Sequence, residues 1–283
     1  MSGFILSAFA DEIDPLLTTQ MDILDKHGIK YIEMRGVNEK NLVEHTLKEV
    51  REIKKQLDEK GFRISAIGSP IGKIKITDGF GSHLGLFRHT IEIAEILEAK
   101  YIRMFSFFIP RGEKPESYRD EVVRRWRRFV DAAKGTGLTL LHENEKDIYG
   151  DTPKRCLDLL ETLDCSYVKA VFDPANFVQC DVEAYPEAYQ LLKKHIAYIH
   201  IKDALYKDHS VVPSGHGDGK VKSILTELKN SGFEGFLSLE PHLADFKGFE
   251  ALEPNSPANR LPEGGPKQFA VAAEVLKKIL SEI

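Results

Sequence analysis

Long apolar runs are missing from this 283-residue sequence, and those present end abruptly in charge. The N-terminal one stops at Asp11 and has no basic residue before it. It is too short for a membrane span and lacks the flanks of a signal peptide, so a soluble, cytoplasmic protein with no membrane partner is expected. Cysteine is scarce. Cys156, Cys165 and Cys180 are odd in number and carry no metal-ligand spacing, which counts against a disulfide scaffold and points to reduced thiols. A basic excess is lacking too: 39 Lys and Arg face 44 Asp and Glu, giving a net charge of −5. Nucleic-acid affinity needs the opposite sign, so no nucleic-acid partner is expected. No glycine-rich phosphate turn follows the first apolar stretch, where Ala8-Phe9-Ala10-Asp11-Glu12 stands instead. That counts against a doubly wound dinucleotide-binding sheet.

What the sequence does contain is a repeat. Apolar stretches predict strands over 4–9, 31–35, 62–67, 101–105, 138–141, 168–172, 197–201 and 236–239. Amphipathic segments predict helices over 14–27, 43–60, 82–99, 116–134, from 152, over 184–194 and 222–231, and from 265 onward. Asp14-Pro15 and Asp151-Thr152-Pro153 read as cap-and-proline starts, and Gly28, Gly61, Gly137 and Gly232 as helix stops before the next strand. Eight strand–helix units at a spacing of roughly 30 residues are the order and length of a (β/α)8 TIM barrel. No linker or low-complexity stretch interrupts them, so one domain over residues 1–283 is predicted. Two long loops, 71–81 and 241–264, follow the third and eighth strands and are candidate lids.

Four of the strands end in polar groups. Leu138-Thr-Leu-Leu-His142-Glu143-Asn144-Glu145, Val168-Lys-Ala-Val-Phe-Asp173, Ile196-Ala-Tyr-Ile-His200 and Gly235-Phe-Leu-Ser-Leu-Glu240 place Glu, Asp, His and Glu after consecutive hydrophobic runs. Burying such groups is costly unless they are paired or bind a metal. In a parallel barrel the C-terminal strand ends display the catalytic groups. Glu143, Asp173, His200 and Glu240 are 30, 27 and 40 residues apart, which sets them on neighbouring strands and lets them converge at one rim. The set suits one divalent ion of the Mn, Co, Mg or Zn type. Glu145 shares strand parity with Glu143 and is the alternative ligand there. Lys202 is expected on the same side of its strand as His200, where it could polarise a substrate oxygen. His216, in the Ser-Gly-His-Gly-Asp-Gly turn, Arg35, with Glu33 at the second strand end, and Phe105, with Phe107 and Phe108 as an apolar wall, complete the candidate substrate-binding residues.

Five motifs in order, Leu-His-Glu143-Asn144, Val-Phe-Asp173-Pro-Ala-Asn176-Phe, Tyr-Ile-His200-Ile-Lys202-Asp203, Gly215-His-Gly217-Asp-Gly and Leu-Ser-Leu-Glu240-Pro-His242, resemble the xylose isomerase-like barrel superfamily. That group contains sugar and sugar-phosphate isomerases and epimerases, and also endonuclease IV. The resemblance implies a divalent metal on Glu143, Asp173, His200 and Glu240, with Glu143 and Glu240 as the acid/base pair. It implies proton transfer next to a carbonyl through an enediolate, on a small ketose or related polyol ketone, and a possible homo-oligomer. A keto-inositol dehydratase is the close variant, and a non-catalytic sugar-binding barrel a more distant one. The similar epimerases carry His three residues beyond the ligand Asp, where this chain has Asn176, which can bind a hydroxyl but cannot titrate. An abasic-site nuclease of the family needs further histidines after strands three and four, where Ser69-Pro70 and Phe105-Ser106 stand.

Overall fold

In the computed structural model, which describes residues 3–243 and 265–283, eight parallel strands close into a barrel. They are β1 (Phe4–Ala8), β2 (Tyr31–Met34), β3 (Arg63–Gly68), β4 (Tyr101–Met104), β5 (Thr139–Glu143), β6 (Val168–Phe172), β7 (Ile196–Ile201) and β8 (Gly235–Leu239). Spatial order follows chain order, and β8 returns to β1 in register from Phe4 with Gly235 to Ala8 with Leu239. The strands are short and mostly apolar because helices cover the outer face while side chains fill the interior. No helix among the described residues is long and apolar enough to cross a membrane.

The helices are α1 (Leu17–Lys26), α2 (Leu47–Glu59), α3 (Phe80–Ile96), α4 (Arg119–Ala133), α5 (Pro153–Leu163), α6 (Pro174–Val178), α7 (Tyr189–Leu192), α8 (Val221–Asn230) and α9 (Gly265–Glu282). Their sequences explain their ends and faces. Thr46 and Glu49 form a reciprocal capping box on α2, which then turns Val50, Ile53 and Leu57 inward. Thr152 caps α5, with Pro153 at its first position, as the sequence predicts. In α4 the arginines 124, 127 and 128 face solvent while Val122, Trp126 and Phe129 are buried.

Three segments depart from the predicted pattern. The first helix starts at Leu17 rather than at Asp14. Residues 10–12 form a 3-10 turn that carries Asp11 and Glu12 to Arg35, and Asp14 accepts the Leu16 N–H at 2.8 Å instead of capping the helix. The helix predicted over 184–194 is broken: Tyr185 is extended, the Tyr185–Pro186 peptide is cis, and α7 begins only at Tyr189. Proline lacks the N–H that a continuous helix needs there. A short helix, α6, follows Asp173 directly, where none was predicted.

Of the two candidate lids, 71–81 is laced to the end of β4. Phe105, Phe107 and Phe108 donate their N–H groups to Ile71, Gly72 and Ile74, and Ile76 donates to Phe108. Ile71 and Ile76 are buried. Most of the other, residues 244–264, lies outside the described residues.

The barrel interior is layered. Its floor is aromatic, with Tyr31, Tyr101, Tyr198 and Phe236 in edge-to-face or tilted contact. Above it, Ser7, Ser65 and Tyr198 share a hydroxyl chain at 2.6 and 2.8 Å. The next tier holds the charged groups described below, at the C-terminal ends of the strands.

Candidate metal centre

Strand alternation decides which polar residues face inward. At the end of β5, His142 points out: its Nε2 meets Ser106 Oγ at 2.9 Å, and Ser106 in turn accepts the Gly150 N–H. Burial pushes the His142 pKa down to about 3, so it is a neutral packing group. Glu143 consequently points in. Asp173 is the first residue past β6 and caps α6, accepting the Asn176 N–H on Oδ1 at 2.9 Å. His200 lies on β7, and Glu240 is the first residue beyond β8. All four are buried, with 4% or less of their surface exposed.

One donor atom from each of Glu143, Asp173, His200 and Glu240 lies within 4.8 Å of all the others. His200 Nδ1 faces Glu143 Oε1 at 3.0 Å, Glu240 Oε2 at 3.4 Å and Asp173 Oδ2 at 3.8 Å. Its other nitrogen, Nε2, faces the Glu33 carboxylate at 3.2 and 3.3 Å. Burial opposes protonation of His200, but Glu143, Glu33 and Glu240 together raise its pKa well above the usual range. Burial likewise opposes ionisation of Glu240 and Glu33. Lys202, His200, His242 and Arg35 nevertheless hold Glu240 well below the ordinary carboxylate range, and His200 and Arg103 lower Glu33.

The quartet fits a divalent ion. Glu143 Oε2 and Asp173 Oδ2 are buried, with Arg103 Nε and Lys202 Nζ 3.2 and 2.9 Å away. Three carboxylates and an imidazole form the hard-to-borderline donor set that such ions take.

Two asparagines hold the ligands. Asn144 clasps the backbone of Asp173, donating to its carbonyl at 2.8 Å and accepting its N–H at 3.0 Å. Asn176 donates to Glu143 Oε1 at 3.2 Å and to the Asn144 carbonyl at 2.9 Å, leaving its own buried Oδ1 without a hydrogen bond. Lys202 is inside, as its strand parity predicts, reaching Asp173 at 2.9 Å and Glu240 at 3.1 Å. Arg35 is also inside, fixing Asp11 and Glu12 and reaching Glu240 Oε1 at 3.0 Å.

Other candidates fall elsewhere. Glu145 is not in the quartet; it pairs with Lys73 at 3.1 Å. His216 is exposed on its turn. The glycines around it donate their N–H groups to Asp203, which explains the turn without a substrate. Of the three phenylalanines, Phe105 has its ring under Arg103 and Lys73. Phe107 packs on Phe129 and Phe80 instead.

Sequence reasoning missed Arg103 on β4, Glu12 and His242. His242 donates its N–H to Glu12 at 2.8 Å, and Glu12, Glu240 and His242 form a second close group. Burial raises the Glu12 pKa to about 6, against the lowering influence of His242 and Arg35. A cavity of about 860 Å³ opens at the opposite end of the barrel, lined among others by Phe4, Tyr31, Tyr101 and Phe236. It touches none of the quartet, which lies at the C-terminal end of the strands.

Among solved structures, the fold resembles the IOLI protein with a bound zinc atom (16% identity, TM-score 0.75, 98% of each chain covered). It also resembles D-allulose 3-epimerase from Methylomonas sp. (14% identity, TM-score 0.75, 98% of each chain). A third likeness is to the probable 3-DHS dehydratase AsbF from Bacillus anthracis (18% identity, TM-score 0.73, 98% of this chain and 99% of that one). No curated protein matches the sequence significantly. The family model described as xylose isomerase-like TIM barrel matches residues 21–279, and the chain belongs to that family.

Proposed function

We propose that the chain is a divalent-metal-dependent isomerase or epimerase of a small ketose or related polyol ketone. The observation that carries this reading is the convergence of Glu143, Asp173 and Glu240 on the single Nδ1 of His200. Glu143, Asp173, His200 and Glu240 hold the metal, which when bound supplies Lewis-acid stabilisation for negative charge on the substrate oxygens. Glu143 and Glu240 come from β5 and β8, so they approach a bound carbon from different sides. One removes the proton next to the carbonyl and the other returns it. Lys202 and Arg35 grip Glu240, and Asn176 grips Glu143, so both carboxylates are oriented before substrate arrives. Asn176 Oδ1, a buried acceptor without a hydrogen bond, receives a sugar hydroxyl in this reading.

A dehydratase of a polyol ketone is the second reading, favoured by Glu12. Its carboxyl titrates near pH 6 beside Glu240 and could protonate a departing hydroxyl. The nuclease reading has little support, because Ser69 and Phe105 occupy the positions where it needs histidines.

The test is solvent-deuterium uptake into ketoses by metal-loaded protein, with unsaturated product followed in parallel. Glu143→Gln and Glu240→Gln should each lower turnover by about 10²–10⁴-fold while leaving the folded spectrum intact. Full activity in either variant would rule out the acid/base pair. Unsaturated product without isomerised sugar moves the dehydratase to the front.

A further inference from the structure

We infer that Glu33 is a positioning residue that decides which nitrogen of His200 faces the metal. The inference rests on the metal reading above and goes beyond its four ligands. Glu33 comes from β2, on the far side of the barrel from His200 in chain order, and its side chain is wholly buried. Its carboxylate meets His200 Nε2 at 3.2 and 3.3 Å, closer than Arg103 Nε at 3.8 Å. The two nitrogens of one imidazole are therefore segregated. Nδ1 looks at three carboxylates, and Nε2 looks at one.

An imidazole can turn over about its own axis and can carry its single proton on either nitrogen. Three contacts remove that freedom here. Phe9 meets the His200 ring at 5.2 Å and 76°, and Tyr198 meets it at 5.9 Å and 88°, so both neighbours bound the ring plane edge to face. These apolar contacts do not tell one nitrogen from the other. The Glu33 carboxylate does: it can only accept and so holds an N–H on Nε2, whereas the carboxylates facing Nδ1 belong to the metal cluster itself. Nδ1 is the nitrogen aimed between Glu143, Asp173 and Glu240, where a metal would take the place of its proton. A carboxylate on the outer nitrogen also makes the imidazole a stronger donor to a metal.

The experiment is zinc and cobalt binding by chelator-treated full-length protein, measured by competition with a chromophoric chelator, together with the visible spectrum of the cobalt form. Wild type is compared with Glu33→Gln and Glu33→Ala. Glu33→Ala should weaken zinc by about 10–100-fold and change the cobalt bands, since ring orientation and ligand basicity are both lost. Glu33→Gln keeps an acceptor oxygen without the charge and should fall between the two. A folded Glu33→Gln protein with wild-type affinity and an unchanged cobalt spectrum overturns the inference, and decides the matter alone if Glu33→Ala does not fold. A loss of thermal stability without any change in metal affinity or spectrum makes Glu33 a packing charge and overturns it as well. Wild-type protein that binds neither ion is a different failure, since it removes the metal reading and this inference with it.

Discussion

Lys202 sits 2.9 Å from Asp173 and 3.1 Å from Glu240 with 2% of its surface exposed. A cation in that position offsets the repulsion between two buried carboxylates. Removing one partner of such a pair leaves uncompensated charge and costs about 3–5 kcal/mol. Lys202→Met should therefore lower the unfolding midpoint of chelator-treated protein strongly. A divalent ion should recover more of that loss than it adds to wild type, because it meets a more negative site. Equal midpoints for the two chelated proteins would contradict this account. At the same scale, Glu143, Asp173, His200 and Glu240 were legible because each interrupts an apolar run at a strand end. Lys202 followed from strand parity. Arg103 and Glu33 lie within their strands and gave no sign of which partner they would meet across the barrel. The role of Asn144 depends on where the backbone of Asp173 runs, 29 residues away, and no local pattern encodes that.

The segment after β3 shows what holds an element in place when regular hydrogen bonding stops. Gly72 has φ of +91°, and a Cβ there would lie 2.1 Å from the Phe105 carbonyl oxygen. Backbone cannot yield as a flexible side chain can, so Gly72→Ala should cost about 2–4 kcal/mol in urea unfolding. The Gly72 N–H donates to His83 Nε2 at 2.7 Å, which requires a neutral imidazole. Burial, with Arg125 nearby, lowers the His83 pKa to about 4. The unfolded histidine titrates near 6.5, so between these values the unfolded chain binds a proton that the folded chain does not. Stability from this residue thus falls as pH drops from about 6.5 to about 4, and falls no further below that. His83→Gln keeps an acceptor and removes the titration, so its midpoint should decline less steeply over that window. A parallel decline in both proteins would show that His83 is not the group responsible. Strands and helices were legible from apolar period, as α2 and β6 show, and α5 also from its cap chemistry. The start of α1 was not, because a 3-10 turn that serves Arg35 takes precedence over a good local cap. The break at Pro186 was written in the sequence and outweighed there by the apolar pattern on either side.

At the scale of the whole molecule, the barrel was legible because eight repeats of one unit admit few closed arrangements. The pairing of β8 with β1 follows from that count, although the two strands are separated by nearly the whole chain. The same closure gathers Glu12, Glu33, Glu143, Asp173 and Glu240 at one end of the barrel, each 4% exposed or less. Arg35, Arg103 and Lys202 offset much of this charge. A divalent ion that binds only the folded arrangement adds stability in proportion to the logarithm of its concentration over Kd. At a thousandfold excess this amounts to about 4 kcal/mol. For a chain of this size that is roughly a 10 °C rise in unfolding temperature. Chelator-treated protein should therefore unfold at a lower temperature than protein supplied with Mn, Co, Mg or Zn. The rise should continue with each tenfold increase in the preferred ion and disappear in Asp173→Asn. A midpoint indifferent to all four ions would show that the protein's own cations neutralise the quartet, and a sugar-binding barrel would then account for the fold better than a metal-dependent enzyme.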